Sequence, residues 1–202
     1  LGWYMVKSGL VDNPAVSQYR LTAHLSAAFL VYAWMFWVAL SLLYPTSSKI
    51  GHPWYGKTVA LTALIVITVI SGGFVAGLKA GKIYNTFPMM GNEWIPRDVM
   101  ALDPWWLNFF ENMGTVQFDH RILAITTFVL IVAYWFRIPR HELPARIAKG
   151  VNALLHTGIL QVVLGIATLL LVVPISLASA HQAIAMVLFT VALYLCHGLR
   201  RA

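Results

Sequence analysis

The chain has 202 residues, of which 59% are hydrophobic and only 10% charged, with eight tryptophans and a mean hydropathy of +0.74. Such a composition excludes a soluble globular domain and defines an integral membrane protein. The net charge of +7 is no nucleic-acid footprint, because it collects in loops on one membrane face, where it reports topology and contact with the anionic headgroups of the lipid bilayer.

Residues 1–9 read as the outer end of a helix without its beginning, so an N-terminally truncated chain is expected. The first complete span runs from about Leu21 to Tyr44, with no Asp, Glu, Lys or Arg between Arg20 and Lys49. A second lies between Lys57 and Lys79. A third begins near Phe118 and ends at Arg137. Asp119, His120 and Arg121 weaken its start, yet it still has the about 20 residues needed to cross roughly 30 Å of hydrocarbon. From Gly150 to Leu199 there are fifty uncharged residues, too many for one helix, and Pro174 with Ser176 divides them into a tight hairpin. The fold class expected is an all-α, polytopic membrane helix bundle.

Positive residues near helix ends stay on the cytoplasmic or matrix side. The loop 45–57 carries Lys49 and Lys57 and no acid, the next loop on that side carries Arg137, Arg140, Arg146 and Lys149, and the chain ends in Arg200 and Arg201. All three are inside. The long loop 79–117 sets three bases against Glu93, Asp98, Asp103 and Glu111, and the turn at Pro174 is uncharged, so both are outside. The single cysteine, Cys196, lies at the inner end of the last span, which excludes a disulfide framework and a thiolate metal site within one chain; a buried, inert thiol is expected.

Three histidines, His24, His120 and His181, sit in the first turns of apolar segments on the outer face. His24 is four residues past Arg20 and His181 seven past Pro174, roughly 6 and 10 Å from the outer ends of their helices, with His120 near its own helix start. Imidazoles at matched depth suit haem iron, whose axial positions accept histidine nitrogen in a helical bundle. Small residues nearby, Ala27 and Ala28 for His24 and Ala178, Ala183 and Ala185 for His181, give a macrocycle room. Arg20 and Arg121 lie at the outer boundary, where a guanidinium can pair with a haem propionate, and Asp119 is a candidate acceptor that orients an imidazole. The plainer alternative is that an intramembrane histidine only bonds across helices, that the two arginines are interfacial anchors, and that Trp94, Trp105 and Trp106 form an aromatic belt. His156 and His197 lie too deep toward the inner face to join the outer three. His52 and His141, in inner loops, are expected to be solvated.

An imperfect internal echo pairs Leu1-Gly2 ahead of Thr22-Ala23-His24 with Leu164-Gly165 ahead of Ser179-Ala180-His181. The stretches Leu1 to Leu10 (LGWYMVKSGL), Ser17 to His24 (SQYRLTAH), Gly77 to Pro96 (GLKAGKIYNTFPMMGNEWIP), Phe118 to Arg121 (FDHR) and Leu160 to Gln182, with its SAHQ ending, resemble the haem A synthase family in its mitochondrial and alphaproteobacterial branch. That resemblance implies two pseudo-symmetric four-helix bundles and oxidation of the C8 methyl of haem O to the formyl group of haem A, which serves terminal oxidases. It divides the chain into residues 1–48, part of the N-terminal bundle, and 49–202, a C-terminal haem-binding bundle with the outer loop 79–117.

By the same resemblance, His120 and His181 are metal ligands of a haem b cofactor, and His24 is a catalytic and iron-ligating histidine of the site for haem O, the substrate; Arg20 and Arg121, by their position, are the candidate cofactor-binding residues beside them. The partner histidine and the acidic residue that the family places with His24 are not in this sequence, so the chain alone is expected to be inactive. The outer loop has no cysteine, unlike that of some bacterial members, which excludes thiol chemistry there. The resemblance also implies a bacterial or mitochondrial inner-membrane location, an electron donor, and haem O synthase, oxidase assembly factors or a second copy as partners. A non-enzymatic membrane cytochrome b that passes electrons from quinol is the competing class. A transporter with histidine proton relays fits less well, because the mid-membrane stretches are aliphatic or aromatic.

Overall fold

The computed structural model describes residues 16–44 and 51–200. The LGWYMVKSGL stretch, the Leu1-Gly2 half of the internal echo, and Lys49 and Arg201 lie outside the described residues. Six helices are described: α1 (Gln18–Leu43), α2 (Tyr55–Gly77), α3 (Asn108–Glu111), α4 (Met113–Arg137), α5 (Ala145–Leu170) and α6 (Ile175–Leu199). All but the short α3 are long and apolar enough to cross a membrane, and they correspond one to one with the expected spans. In hydrocarbon a helix satisfies its own backbone groups, which is why apolar runs of this length become helices whatever their β-branched content.

The boundary of the third span differs from expectation. Helix α4 starts at Met113, five residues before Phe118, because Asn112 caps it: its side chain accepts a hydrogen bond from the Thr115 N–H at 2.9 Å. Gly114, Thr115, Val116 and Gln117 are buried in this added turn. Between α5 and α6, Val172 and Val173 both take left-handed backbone angles (φ 60° and 59°). That conformation is unfavourable for β-branched residues, and it is held by the Val173 N–H bonding to Thr168 O at 2.8 Å.

Helices α2, α4, α5 and α6 pack as a ring in that order, α6 closing back on α2, while α1 lies outside against α2 and α6. Within the ring α4 and α6 are therefore diagonal. Small residues set the spacings, as in other membrane bundles. A Cβ on Gly73 would lie 2.9 Å from Thr22 Oγ1 of α1, and one on Gly77 would strike Gln18, so Gly73-x-x-x-Gly77 is the α1–α2 seam.

Contacts between elements gather the helix ends into the two expected groups. At the outer end Tyr19 donates to Glu111 at 2.9 Å and Asn85 Nδ2 donates to Leu169 O at 2.8 Å. At the inner end the His52 N–H donates to Leu199 O at 3.0 Å and Arg146 stacks on Tyr44 at 4.3 Å.

The packed core lies in the inner half of the ring, around Ile131, Ile147, Val151, Leu154 and Leu195, each at most 1% exposed. The outer half is different. Residues 66–72 of α2, 118–126 of α4, 159–167 of α5 and 175–187 of α6 include no fully buried residue. Side chains on all four walls of the ring are thus only partly covered at the same level.

Candidate functional site

His24 falls six residues past Gln18, His120 seven past Met113 and His181 six past Ile175. At 1.5 Å per residue all three lie roughly 9 to 11 Å below their helix starts. The earlier start of α4 brings His120 to the depth of the other two. His120 and His181, on the diagonal helices α4 and α6, are within electrostatic range of each other. His24 stands apart on α1, outside the ring. No group of three or more His, Cys, Asp or Glu placed to hold a metal ion occurs among the described residues, so the three histidines are not one ligand set.

Each ring histidine rests on a glycine of the membrane-spanning helix before its own. A Cβ on Gly72 of α2 would lie 3.1 Å from His120 Cε1, and one on Gly165 of α5 would lie 2.9 Å from His181 Cε1. The ring nitrogens then meet polar groups of the same neighbouring helices. His120 Nδ1 is 2.8 Å from Ser71 Oγ, and His181 Nε2 is 3.3 Å from Gln161 Nε2. His181 Nδ1 and Gln161 Oε1 are buried without a hydrogen-bond partner. Two imidazoles on diagonal helices, four walls left partly covered at their level and an unpaired buried imidazole nitrogen fit a haem that His120 and His181 would hold.

The outer loop closes over this end of the bundle. Arg121 donates from Nη2 to Tyr84 O at 2.9 Å and from Nη1 to Thr86 O and Met89 O at 2.9 and 3.2 Å, while its Nε is buried without a partner. Gln117 also donates to Tyr84 O, at 3.0 Å. Asn112 Nδ2 donates to Asp98 O at 2.7 Å, and Asn108 is fully buried, bridging Leu102 and Trp105. Tyr84 donates its phenol proton to Asp98 Oδ1 at 2.7 Å, and that hydrogen bond, with burial second, pushes its pKa up to about 12. The Asp98 carboxylate lies against Gly114, beside the start of α4, where the helix dipole favours an anion.

Several expectations are corrected here. The side chain hydrogen-bonded to the His120 ring is Ser71 rather than Asp119. His52 is half-buried, not solvated: its N–H caps Leu199 O, and its Nδ1 accepts from the Trp54 N–H at 3.2 Å. His141 is exposed beside Glu142, as expected. His156 is exposed on α5. His197 is buried at the inner end, 3.2 Å from Ser41 Oγ and edge-on to Trp37, and Cys196 is buried against Thr62. Arg20, on the first turn of α1, is half-buried. The sequence reasoning missed Ser71, Gly72 and Gln161; a glycine or hydroxyl in an apolar helix does not reveal which helix it faces.

These features define a multi-pass membrane bundle that presents paired imidazoles near its outer face. A family model described as "Cytochrome oxidase assembly protein" (COX15-CtaA) matches residues 1–193, and the chain belongs to that family. The protein named Heme A synthase in Nitrosospira multiformis is 53% identical over all of this chain and 58% of its own length. That of Paramagnetospirillum magneticum is 47% identical over all of this chain and 58% of its own length. Heme A synthase COX15 of Homo sapiens is 46% identical over all of this chain and 52% of its own length. The chain thus spans a little over half the length of these curated relatives. No solved structure matches it significantly.

Proposed function

We propose that this chain forms the haem b-binding bundle, with one helix of the substrate bundle, of a haem A synthase: an inner-membrane enzyme that oxidises the C8 methyl of haem O to the formyl of haem A. The observation that carries this reading is the His120 and His181 pair, on diagonal helices and at the level where the ring walls are only partly covered. Full-length coverage by relatives named Heme A synthase supports the same reading.

In this reading His120 and His181 are the residues that would hold the haem iron, and haem b would supply one-electron redox chemistry when bound. Gly72 and Gly165 let the two imidazoles lie close to α2 and α5. Arg121 holds the loop from Tyr84 to Met89 over the outer end of the site, excluding water, and its unpaired Nε–H is the donor left for a propionate. Arg20 lies at the same outer boundary beside His24. His24, outside the ring, serves haem O rather than haem b, so the segment by itself binds haem b without converting haem O. Apolar α1, with Leu30, Trp34 and Met35 exposed, offers a surface suited to a farnesyl tail.

The test is oxidised and reduced visible spectra of the detergent-purified protein, taken at the length of its relatives, with extracted haem identified by mass. His120→Ala or His181→Ala removes the haem b spectrum, whereas His24→Ala keeps it and abolishes haem A formation from haem O. Loss of haem b on His24→Ala alone, or a wild-type protein without haem, sinks this reading.

A further inference from the structure

We propose that Ser71 is a positioning residue for His120: its hydroxyl fixes the imidazole in the tautomer that carries its proton on Nδ1, leaving Nε2 as the nitrogen that binds iron. The inference rests on the haem reading above and deepens it. A serine hydroxyl has one proton and two lone pairs. The Ser71 proton is given to Thr68 O on its own helix, at 2.8 Å. With that proton on Thr68 O, the 2.8 Å contact between Ser71 Oγ and His120 Nδ1 runs the other way, the ring N–H donating and the hydroxyl oxygen accepting, and the Thr68 carbonyl, itself within hydrogen-bonding reach of the His120 ring, favours the same donor role. A neutral imidazole carries one N–H, so Nε2 keeps its lone pair, and neutral imidazole is the form that ligates a metal.

The seat beside it keeps this geometry. With Gly72 under Cε1 at 3.1 Å from its would-be Cβ, the ring is close enough to α2 for Nδ1 to reach the Ser71 oxygen. Donation from the second ring nitrogen to an acceptor fixes ring orientation and raises the basicity of the ligating nitrogen; losing such a partner typically costs 10- to 100-fold in metal affinity.

The experiment uses the membrane-purified protein at its relatives' length, with Ser71→Ala, Ser71→Cys, Ser71→Thr and, as reference, His120→Ala. Haem b retention, the midpoint potential of haem b and the electron paramagnetic resonance of its ferric low-spin form are measured for each. We expect Ser71→Ala to lower haem b affinity about 10- to 100-fold, to raise the midpoint potential and to change the resonance, with Ser71→Thr restoring all three. Ser71→Cys, close in shape but a weak acceptor, falls between and reads the effect even where the alanine variant folds poorly. Ser71→Ala with unchanged potential and resonance, while His120→Ala loses haem b, overturns this proposal alone. Retention of haem b by His120→Ala overturns the haem reading itself.

Discussion

His120 and His181 occupy corresponding places, each six or seven residues into its span and each with Cε1 against a glycine of the preceding helix, yet their ring nitrogens meet opposite partners. At His120 the neighbour is a hydroxyl that also bonds to Thr68 O, and in the proposed arrangement the ring donates to it. At His181 the neighbour is the amide nitrogen of Gln161, which can only donate, so ring Nε2 accepts and Nδ1 stays buried and unpaired. Under the proposed haem reading, one imidazole would be preset for a metal, and the other would give up a hydrogen bond on Nε2 before that nitrogen could take one. Their covers differ as well. Helix α4 lies under the hydrogen-bonded outer loop, whereas α5 and α6 are joined by the short turn from Leu171 to Pro174.

The largest effects fall on the glycine seats. Gly165→Val and Gly72→Val drive two methyl groups against an imidazole from a Cβ already at 2.9 and 3.1 Å, and overpacking of this kind costs typically 1 to 3 kcal/mol, about. Both variants are expected to lose haem b from the purified protein. Gly73→Val is the control: it is adjacent on α2 but faces Thr22 of α1. Comparable thermal destabilisation with haem b retained is expected there, and the reverse pattern in haem content would show that the two faces of α2 are wrongly assigned.

This contrast also marks what the sequence made legible. Five spans and their order could be read because apolar runs end at charges, and no tertiary contact is needed to place a charge at a membrane boundary. The depth of the histidines could be read for the same reason, since helical rise converts residue number into distance. Ser71, Gly72 and Gln161 could not be assigned, because which histidine a helix face meets depends on the rotation of two helices about their axes. The start of α4 escaped because Met113 to Gln117 carry no charge and follow a loop rich in Asn and Trp; only the Asn112 side chain reaching Thr115 N fixes it. His52 was misjudged because its backbone contact with Leu199 joins ends nearly 150 residues apart.

A smaller effect separates the covers. Asn112→Ala removes a helix cap worth about 1 kcal/mol. It also takes a donor from Asp98 O and from Asn108 Oδ1, adding about 1 kcal/mol for each net hydrogen bond lost. Denaturation midpoints should fall accordingly, and limited proteolysis should cut first in 79–111. Protection of that loop equal to wild type would mean that Arg121 and Gln117 hold it without Asn112.

Gln161→Ala tests the asymmetry of the ligands directly. Removing the amide that donates to His181 Nε2 spares haem binding the cost of breaking one hydrogen bond, about 0.5 to 1.5 kcal/mol. Haem b affinity in a haem titration should therefore rise, by up to about tenfold at the upper end of that range, while Ser71→Ala lowers it. Two variants that both weaken binding would make the histidine supports equivalent and remove the distinction.

The smallest expected change is a titration on the outer loop. Tyr84 is held protonated up to about 12, from an ordinary value of 10.0, chiefly by its hydrogen bond to Asp98 and then by burial. Because the folded value lies above the unfolded one, the stabilisation is complete below about pH 10 and is lost as pH rises from there to about 12. Tyrosinate absorbance followed across that window should show a late-titrating phenol that Tyr84→Phe removes. Denaturation midpoints of the wild type should decline more steeply over the same window than those of the variant. If the late fraction of the absorbance is unchanged in Tyr84→Phe, the Tyr84–Asp98 bond does not join the two arms of the outer loop. The ordering of the loop over His120 would then rest on Arg121, Gln117 and the two asparagines.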